Sequence, residues 1–167
     1  MVYKELQKIF HGVGNPQCLC RSTTYLFSQP YSKRRKGIGT FALEMAKYCS
    51  DVEAVENEEE NVKLANLTTK LNGIKFKVRK ERVEKAGKLF ADKIVVDPLR
   101  AGLSKKVIGK ILDSNAKKIV YVSCNPETQK RDLDLFLEKG WVVEHSLLVH
   151  QFLNTEHLET IISLKRK

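Results

Sequence analysis

Two residues capable of covalent and acid–base chemistry stand in the last third of this 167-residue chain. Cys124 lies in Ser123-Cys124-Asn125-Pro126, on a turn between an apolar run and a helical stretch. A helix N-terminus stabilises the thiolate, the nucleophilic form of cysteine. Glu159 opens the last apolar run, where a carboxylate can act as a base. Taken alone, each residue is equally consistent with a structural role, as a buried inert thiol or a solvated acid.

Two further acids end β-rich runs, and a pair of glycines precedes a helical stretch. Glu56 ends the run 51–56, and Asp97 follows Lys93-Ile94-Val95-Val96 and begins a proline-stiffened turn. The glycines of Gly37-Ile38-Gly39 would let the backbone approach a ligand closely, as nucleotide-binding loops do. Glu56 stands about where an acid following such a loop binds ribose hydroxyls. A simple turn and a solvated acid are the alternatives here.

From about residue 37 onward, apolar runs alternate with helical stretches. We predict helices at 58–72, 104–114 and 126–139, with Ser104 as an N-cap and Gly73 and Gly140 as stops. Strands are predicted at 51–56, 75–78, 93–97, 118–122, 141–149 and 159–164. Such alternation is typical of an α/β, doubly wound sheet, in which ligands bind at the carboxyl ends of the strands.

The net charge of +10 is concentrated at the amino end, where residues 1–36 hold seven Lys or Arg against one Glu, a surplus of +6. A basic surface favours nucleic acid through counterion release, although solvated tails explain the charge equally well. Glycines, prolines and the cations of residues 33–36 predict an irregular basic segment at 1–36. A folded domain is predicted at 37–167.

Several classes of protein are excluded by composition. The cysteines at positions 18, 20, 49 and 124 lack the spacing of a zinc site, so we predict no metal. No apolar run approaches the roughly 20 residues of a membrane span. The amino terminus does not resemble a secretory signal, so the chain is predicted to be cytoplasmic.

Four motifs occur in the order found in the RNA 5-methyluridine methyltransferases, a family that this chain resembles over residues 37–167. They are Gly-Ile-Gly-Thr-Phe, Asp-Pro-x-Arg-Ala-Gly-Leu, Val-Ser-Cys-Asn-Pro-Glu-Thr-x-x-Arg-Asp-Leu and Thr-x-His-Leu-Glu. The resemblance implies a Rossmann-like class I methyltransferase sheet, mostly parallel with an antiparallel last strand. It also implies S-adenosylmethionine as the cofactor and a uridine of transfer or ribosomal RNA as the target.

The resemblance assigns roles by position. Cys124 matches the nucleophile that adds to carbon 6 of uracil, and Glu159 matches the base that removes the proton from carbon 5. Asp97 matches the motif acid at the edge of the pocket, in contact with substrate or cofactor, and Arg131 is expected to bind substrate. The remaining expected cofactor contacts are Gly37, Gly39, Glu56 and Glu81, and the expected RNA contacts are Gln29, Lys33, Arg34 and Arg35.

The chain departs from the family directly before Gly37. The family has an apolar strand there, whereas residues 29–36 contain Pro30 and four consecutive cations, which do not suit a buried central strand. We therefore predict that the first core strand is missing, that the sheet is incomplete on its N-terminal side and that cofactor binding is weak. This favours an alternative function, a degenerate non-catalytic module that binds RNA or a partner. A methyltransferase with another substrate is a third reading, but it would not need the Cys124 and Glu159 pair.

Overall fold

The computed structural model describes residues 20–27, 40–150 and 158–167, which form a three-layer α/β unit. Its strands are β1 Cys20–Phe27, β2 Cys49–Glu56, β3 Lys77–Lys80, β4 Lys93–Asp97, β5 Lys118–Ser123, β6 Trp141–Val149 and β7 Glu159–Arg166. Its helices are α1 Thr40–Met45, α2 Glu59–Asn72, α3 Lys105–Leu112 and α4 Pro126–Glu138.

The described strands form one sheet in the order β3-β2-β1-β4-β5-β7-β6. Strands β1 to β5 pair in parallel, and β7 lies antiparallel between β5 and β6. The predicted α/β sheet, mostly parallel with an antiparallel last strand, is therefore confirmed. Among the described helices, none is long and apolar enough to cross a membrane.

The two central strands β4 and β5 are buried on both faces, as a parallel sheet covered by helices requires. Ile94, Val95 and Val96 are all fully buried. The core consists of two hydrophobic clusters, one on each face of the sheet. Because side chains alternate along a strand, Ile94 and Val96 pack in the cluster beneath α3 and α4, whereas Val95 packs in the cluster beneath α1. Both helical layers thus hold the sheet whose strand ends carry the candidate site.

Local sequence signals placed the start of α3 and the end of α2 correctly, whereas α3 ends at Leu112, two residues before the predicted end at 114. The Ser104 hydroxyl accepts a hydrogen bond from the Val107 amide at 3.3 Å, so Ser104 is the N-cap of α3. Gly73, with a φ of 64°, ends α2 in the left-handed conformation. Strand β3 lies two residues later than predicted, at Lys77–Lys80 instead of 75–78.

The prediction that the first core strand is missing is wrong. Cys20–Phe27 forms β1, which lies in the middle of the sheet and pairs in parallel with β2 on one side and β4 on the other. The prediction rested on the residues directly before Gly37, whereas the strand lies earlier, in a stretch whose Thr, Tyr and Phe residues favour β structure. Residues 20–27 are consequently not irregular. The predicted boundary near residue 36 lies outside the described residues.

Candidate functional site

The candidate nucleophile and base meet at one edge of the sheet. Because β7 runs antiparallel to β5, its first residue lies at the carboxyl end of β5. The last pair of the β5–β7 ladder is Ser123 with Thr160. Cys124 directly follows β5, and Glu159, the first residue of β7, directly precedes Thr160. Asp97 ends β4, the neighbour of β5, at the same edge. The structure therefore places three of the predicted site residues at the same edge of the sheet.

The turn that carries Cys124 has a defined shape. The Ser123 hydroxyl accepts from the Asn125 amide and donates to the Asn125 carbonyl, both at 3.0 Å, and so bridges the turn. The Asn125 side chain accepts from the Glu127 amide at 3.1 Å and caps α4, which begins with Pro126 at a position where proline costs no hydrogen bond. Cys124 is consequently presented, half-buried, at a helix N-terminus.

The loop after Asp97, residues 98–103, is held against this turn and against α4. The side-chain nitrogen Nδ2 of Asn125 and the Thr128 hydroxyl each donate to the Arg100 carbonyl at 2.9 Å. The Asp97 loop and the Cys124 turn therefore form one hydrogen-bonded unit.

A buried carboxylate on α4 extends this attachment. Asp132, whose side chain is 1% exposed, accepts from the Leu103 amide at 2.6 Å, the Tyr121 hydroxyl at 2.7 Å and the Arg131 guanidinium at 2.7 Å. The pKa of the Tyr121 phenol is raised far above its ordinary value, mainly by burial and secondly by the hydrogen bond to Asp132. The phenol therefore keeps its proton and remains a donor. Arg131 also donates to the Ala101 carbonyl at 3.0 Å. Its side chain thus contacts the loop after Asp97.

Gly102 is required where this loop crosses α4. Its φ of 77° lies in the left-handed region, and a Cβ there would stand 2.6 Å from Asp132 Oδ2 and 2.7 Å from a guanidinium nitrogen of Arg131. A side chain at position 102 would therefore displace the groups that hold the loop.

We expect Gly102→Ala to lower the free energy of unfolding by about 1–3 kcal/mol, because it adds backbone strain to a steric conflict. Urea denaturation measures the change. Gly109, inside α3, is the matched control, because a Cβ added there would meet no other atom within 4 Å. Gly109→Ala should stabilise the chain by up to about 1 kcal/mol through helix propensity. Equal effects of the two substitutions would contradict this account of the loop.

Glu56 and Glu81, the predicted cofactor contacts at the ends of β2 and β3, lie next to each other. The Glu81 amide donates to the Glu56 carbonyl at 3.0 Å. Glu56 is 2% exposed, and its carboxylate accepts from the Glu58 amide at 2.8 Å and from Asn61 Nδ2 at 3.0 Å. Glu81 forms an ion pair with Arg79 at 2.7 Å. These contacts fix the Glu56 carboxylate at the edge of the sheet where the other site residues lie.

The remaining predicted contacts, Gly37, Gly39, Gln29, Lys33, Arg34 and Arg35, lie outside the described residues and stay predictions. In the described ranges, no group of three or more His, Cys, Asp or Glu side chains is arranged to hold a metal ion. An open apolar groove of about 550 Å³ lies between α3 and α4, and its lining includes Leu103, Ile108 and Leu135 but none of the predicted catalytic residues.

Sequence reasoning missed the polar residues that support the site. Gln129 and Asp132 occupy the buried face of α4 together with Leu133 and Phe136, at helical spacing. Two polar residues in an otherwise apolar stripe are a signal, because buried polar groups require partners. Asn125 before Pro126 was likewise recognisable as an N-cap followed by a first-turn proline.

The sheet order, with an antiparallel β7 between β5 and β6, and the acids at the ends of β2 and β4 define a class I methyltransferase fold. The model of the tRNA (uracil-5-)-methyltransferase family matches residues 77–167, which include Cys124 and Glu159. The chain belongs to this family.

Three similar proteins illustrate the relationship. An uncharacterized RNA methyltransferase of Nanoarchaeum equitans is 42% identical over 130 residues, which are 78% of this chain and 29% of that protein. The 23S rRNA (uracil(747)-C(5))-methyltransferase of Pyrococcus abyssi is 33% identical over 131 residues, 78% of this chain and 32% of that protein. The tRNA (uracil-54, C5)-methyltransferase of Pyrococcus abyssi, solved with S-adenosyl-L-homocysteine, superposes with a TM-score of 0.79 at 22% identity, over 98% of this chain and 37% of the other. This chain thus spans about a third of the length of the relatives it matches.

Proposed function

We propose that this chain is the catalytic unit of an RNA uracil-5-methyltransferase that acts in the cytoplasm. It transfers a methyl group from S-adenosylmethionine to carbon 5 of a uridine in transfer or ribosomal RNA. The observation that carries the proposal is the register of β5 and β7, which ends at the Ser123–Thr160 pair, because Cys124 directly follows Ser123 and Glu159 directly precedes Thr160. Family membership and the names of the relatives support the same function.

The reaction needs both residues because carbon 5 of uracil is a poor nucleophile. The Cys124 thiolate adds to carbon 6 and turns the ring into an enolate, whose carbon 5 can accept a methyl group. Glu159 then removes the proton from carbon 5, the double bond between carbons 5 and 6 re-forms, and the sulfur leaves with the electron pair of its bond to carbon 6. The target base must be unpaired or flipped out of the RNA to reach this edge of the sheet.

The residues at the ends of β2 and β3 fit S-adenosylmethionine, which supplies an electrophilic methyl group on a sulfonium. A carboxylate at the end of β2 can accept the two ribose hydroxyls, and Glu56 is held there by its bonds to Glu58 and Asn61. Within the described part of the chain each of its oxygens accepts one of these bonds, and a carboxylate oxygen has a second lone pair that a ribose hydroxyl can use. Glu81, Asp97 and the glycines Gly37 and Gly39 complete the proposed cofactor contacts. Weak cofactor binding and a non-catalytic module were favoured by the expected loss of the first core strand, and β1 occupies that place in the middle of the sheet.

Nucleoside analysis tests the proposal directly. The purified full chain is incubated with methyl-labelled S-adenosylmethionine and either transfer or ribosomal RNA transcripts, and the RNA is digested to nucleosides. We expect the label in 5-methyluridine, and the better substrate identifies the RNA class. Label in another nucleoside would favour a methyltransferase with a different target. No label, from a chain that binds both cofactor and RNA in separate titrations, would favour the non-catalytic module.

A further inference from the structure

A buried amide and a hydroxyl join three elements directly beside the candidate catalytic pair. Thr160 follows Glu159 in β7, and its hydroxyl lies 2.6 Å from Gln129 Oε1 on α4 and 3.1 Å from the Ser123 carbonyl on β5. The side-chain nitrogen Nε2 of Gln129 donates to the Tyr121 carbonyl, also on β5, at 3.0 Å. We call Gln129 and Thr160 the clasp. It joins the start of β7 to the end of β5, one residue before Cys124.

The clasp is not needed to fill the core. Gln129 is 1% exposed and lies on the face of α4 that also carries Leu133 and Phe136. A leucine or methionine would fill the same volume without needing hydrogen-bond partners, whereas a buried amide is costly unless it has them. A satisfied buried polar group, in contrast, selects one arrangement of the elements it joins. Here the selected arrangement is the position of the first residues of β7 relative to β5.

We propose that Gln129 and Thr160 are positioning residues that place the Glu159 carboxylate for removal of the carbon 5 proton. This inference rests on the proposed function above. A general base must come within hydrogen-bond reach of the proton it removes, about 2.6–3.2 Å between heavy atoms. Glu159 begins its strand and pairs with Val149 of β6, and the clasp anchors the next residue, Thr160, to α4 and β5. The clasp therefore sets the position of the start of β7, and with it Glu159, relative to Cys124.

The chemistry makes this role separable from a general structural one. Addition of the Cys124 sulfur to carbon 6 and methylation of carbon 5 both precede removal of the proton. A misplaced Glu159 therefore leaves the methylated uracil bonded to Cys124, because the pair of electrons in the carbon 5–hydrogen bond cannot re-form the double bond and expel the sulfur. A loss of folding would instead prevent the bond from forming, and a loss of cofactor binding would leave at most an unmethylated adduct, from which Cys124 leaves by reversal of its addition.

Thr160→Val tests the clasp, because valine keeps the branched shape and removes the hydroxyl. With ordinary uridine RNA and S-adenosylmethionine, we expect turnover to fall by at least about 10-fold. We also expect a protein–RNA complex that survives a denaturing gel and that the wild-type chain does not accumulate. Thr160→Ser, which retains the hydroxyl, is the control and should behave like the wild type. Gln129→Met removes the oxygen that accepts the hydrogen bond from Thr160, and it should give the same result as Thr160→Val. It replaces Thr160→Val as the test if that variant does not fold.

Each result of this experiment decides the inference. Wild-type turnover in folded Thr160→Val and Gln129→Met overturns it, and so does a loss of turnover without the covalent complex. A wild-type chain that transfers no methyl group to RNA overturns the proposed function itself, and the clasp then has no base to position. The two failures are therefore distinguished by the wild-type reaction.

Discussion

The Cys124→Ser chain is expected to form no covalent complex with RNA that contains 5-fluorouridine, whereas the wild-type chain forms a stable one. Fluorine at carbon 5 cannot be removed as a proton is, so after addition and methyl transfer Glu159 has nothing to abstract. The bond between the Cys124 sulfur and carbon 6 then persists. A serine hydroxyl is scarcely ionised at neutral pH and cannot replace the thiolate. Methyl transfer to ordinary RNA should fall by at least about 1000-fold in the same variant.

A denaturing gel of chain, cofactor and labelled RNA measures the complex, and Cys49 supplies the matched control. Cys49 begins β2, at the edge of the sheet opposite to the carboxyl ends of the parallel strands. Cys49→Ala should therefore trap the RNA as the wild type does, as should substitutions of Cys18 and Cys20. A complex that survives Cys124→Ser would refute the assignment of the nucleophile.

Asp132→Asn should lower the free energy of unfolding by about 3 kcal/mol, because it breaks a buried charged network. The aspartate accepts hydrogen bonds from three donors, on Leu103, Tyr121 and Arg131. The asparagine amide group would turn a donor toward at least one of them. Chemical denaturation measures the loss. Hydrogen exchange of the Leu103 amide, which donates to Asp132, should accelerate as the loop after Asp97 is released.

Asp134, two residues further along α4, is the matched control for Asp132. Its side chain is 51% exposed and forms an i,i+4 ion pair with Lys130 at 2.9 Å. Because exposed pairs contribute little, Asp134→Asn should change the stability by no more than about 0.5 kcal/mol. If Asp132→Asn were as mild as Asp134→Asn, the buried network would not be what holds the loop against α4.

The predictable parts of the fold are those that are determined by residues close to one another in the sequence. The apolar run of β4, the Ser104 cap and the Gly73 stop are each decided by neighbouring residues, and each was found in the structure. The motifs also placed Cys124 and Glu159 at strand ends. Strand β1 was not predicted, because its position in the middle of the sheet depends on pairing with β2 and β4, which come later in the chain.

The supporting contacts of the site were not predictable for the same reason. Asp132 bonds to Leu103, 29 residues away, and Gln129 bonds to Thr160, 31 residues away. The helical spacing of Gln129 and Asp132 with apolar residues indicated that both are buried on one face of α4. That spacing does not determine which donor or acceptor of another element packs against this face. Partners at this separation are set by the packing of the loop and β7 against the helix.

Release of tritium from carbon 5 is the most direct test that Cys124 and Glu159 act in succession on one uracil. The full chain is incubated with methyl-labelled S-adenosylmethionine and RNA whose uridines carry tritium at carbon 5. Tritium in water and methyl groups in RNA are then counted in the same sample. The proposed reaction predicts that one tritium is released for each methyl group transferred, and that both fall together in Cys124→Ser. Methyl transfer with the tritium retained in the RNA would contradict it.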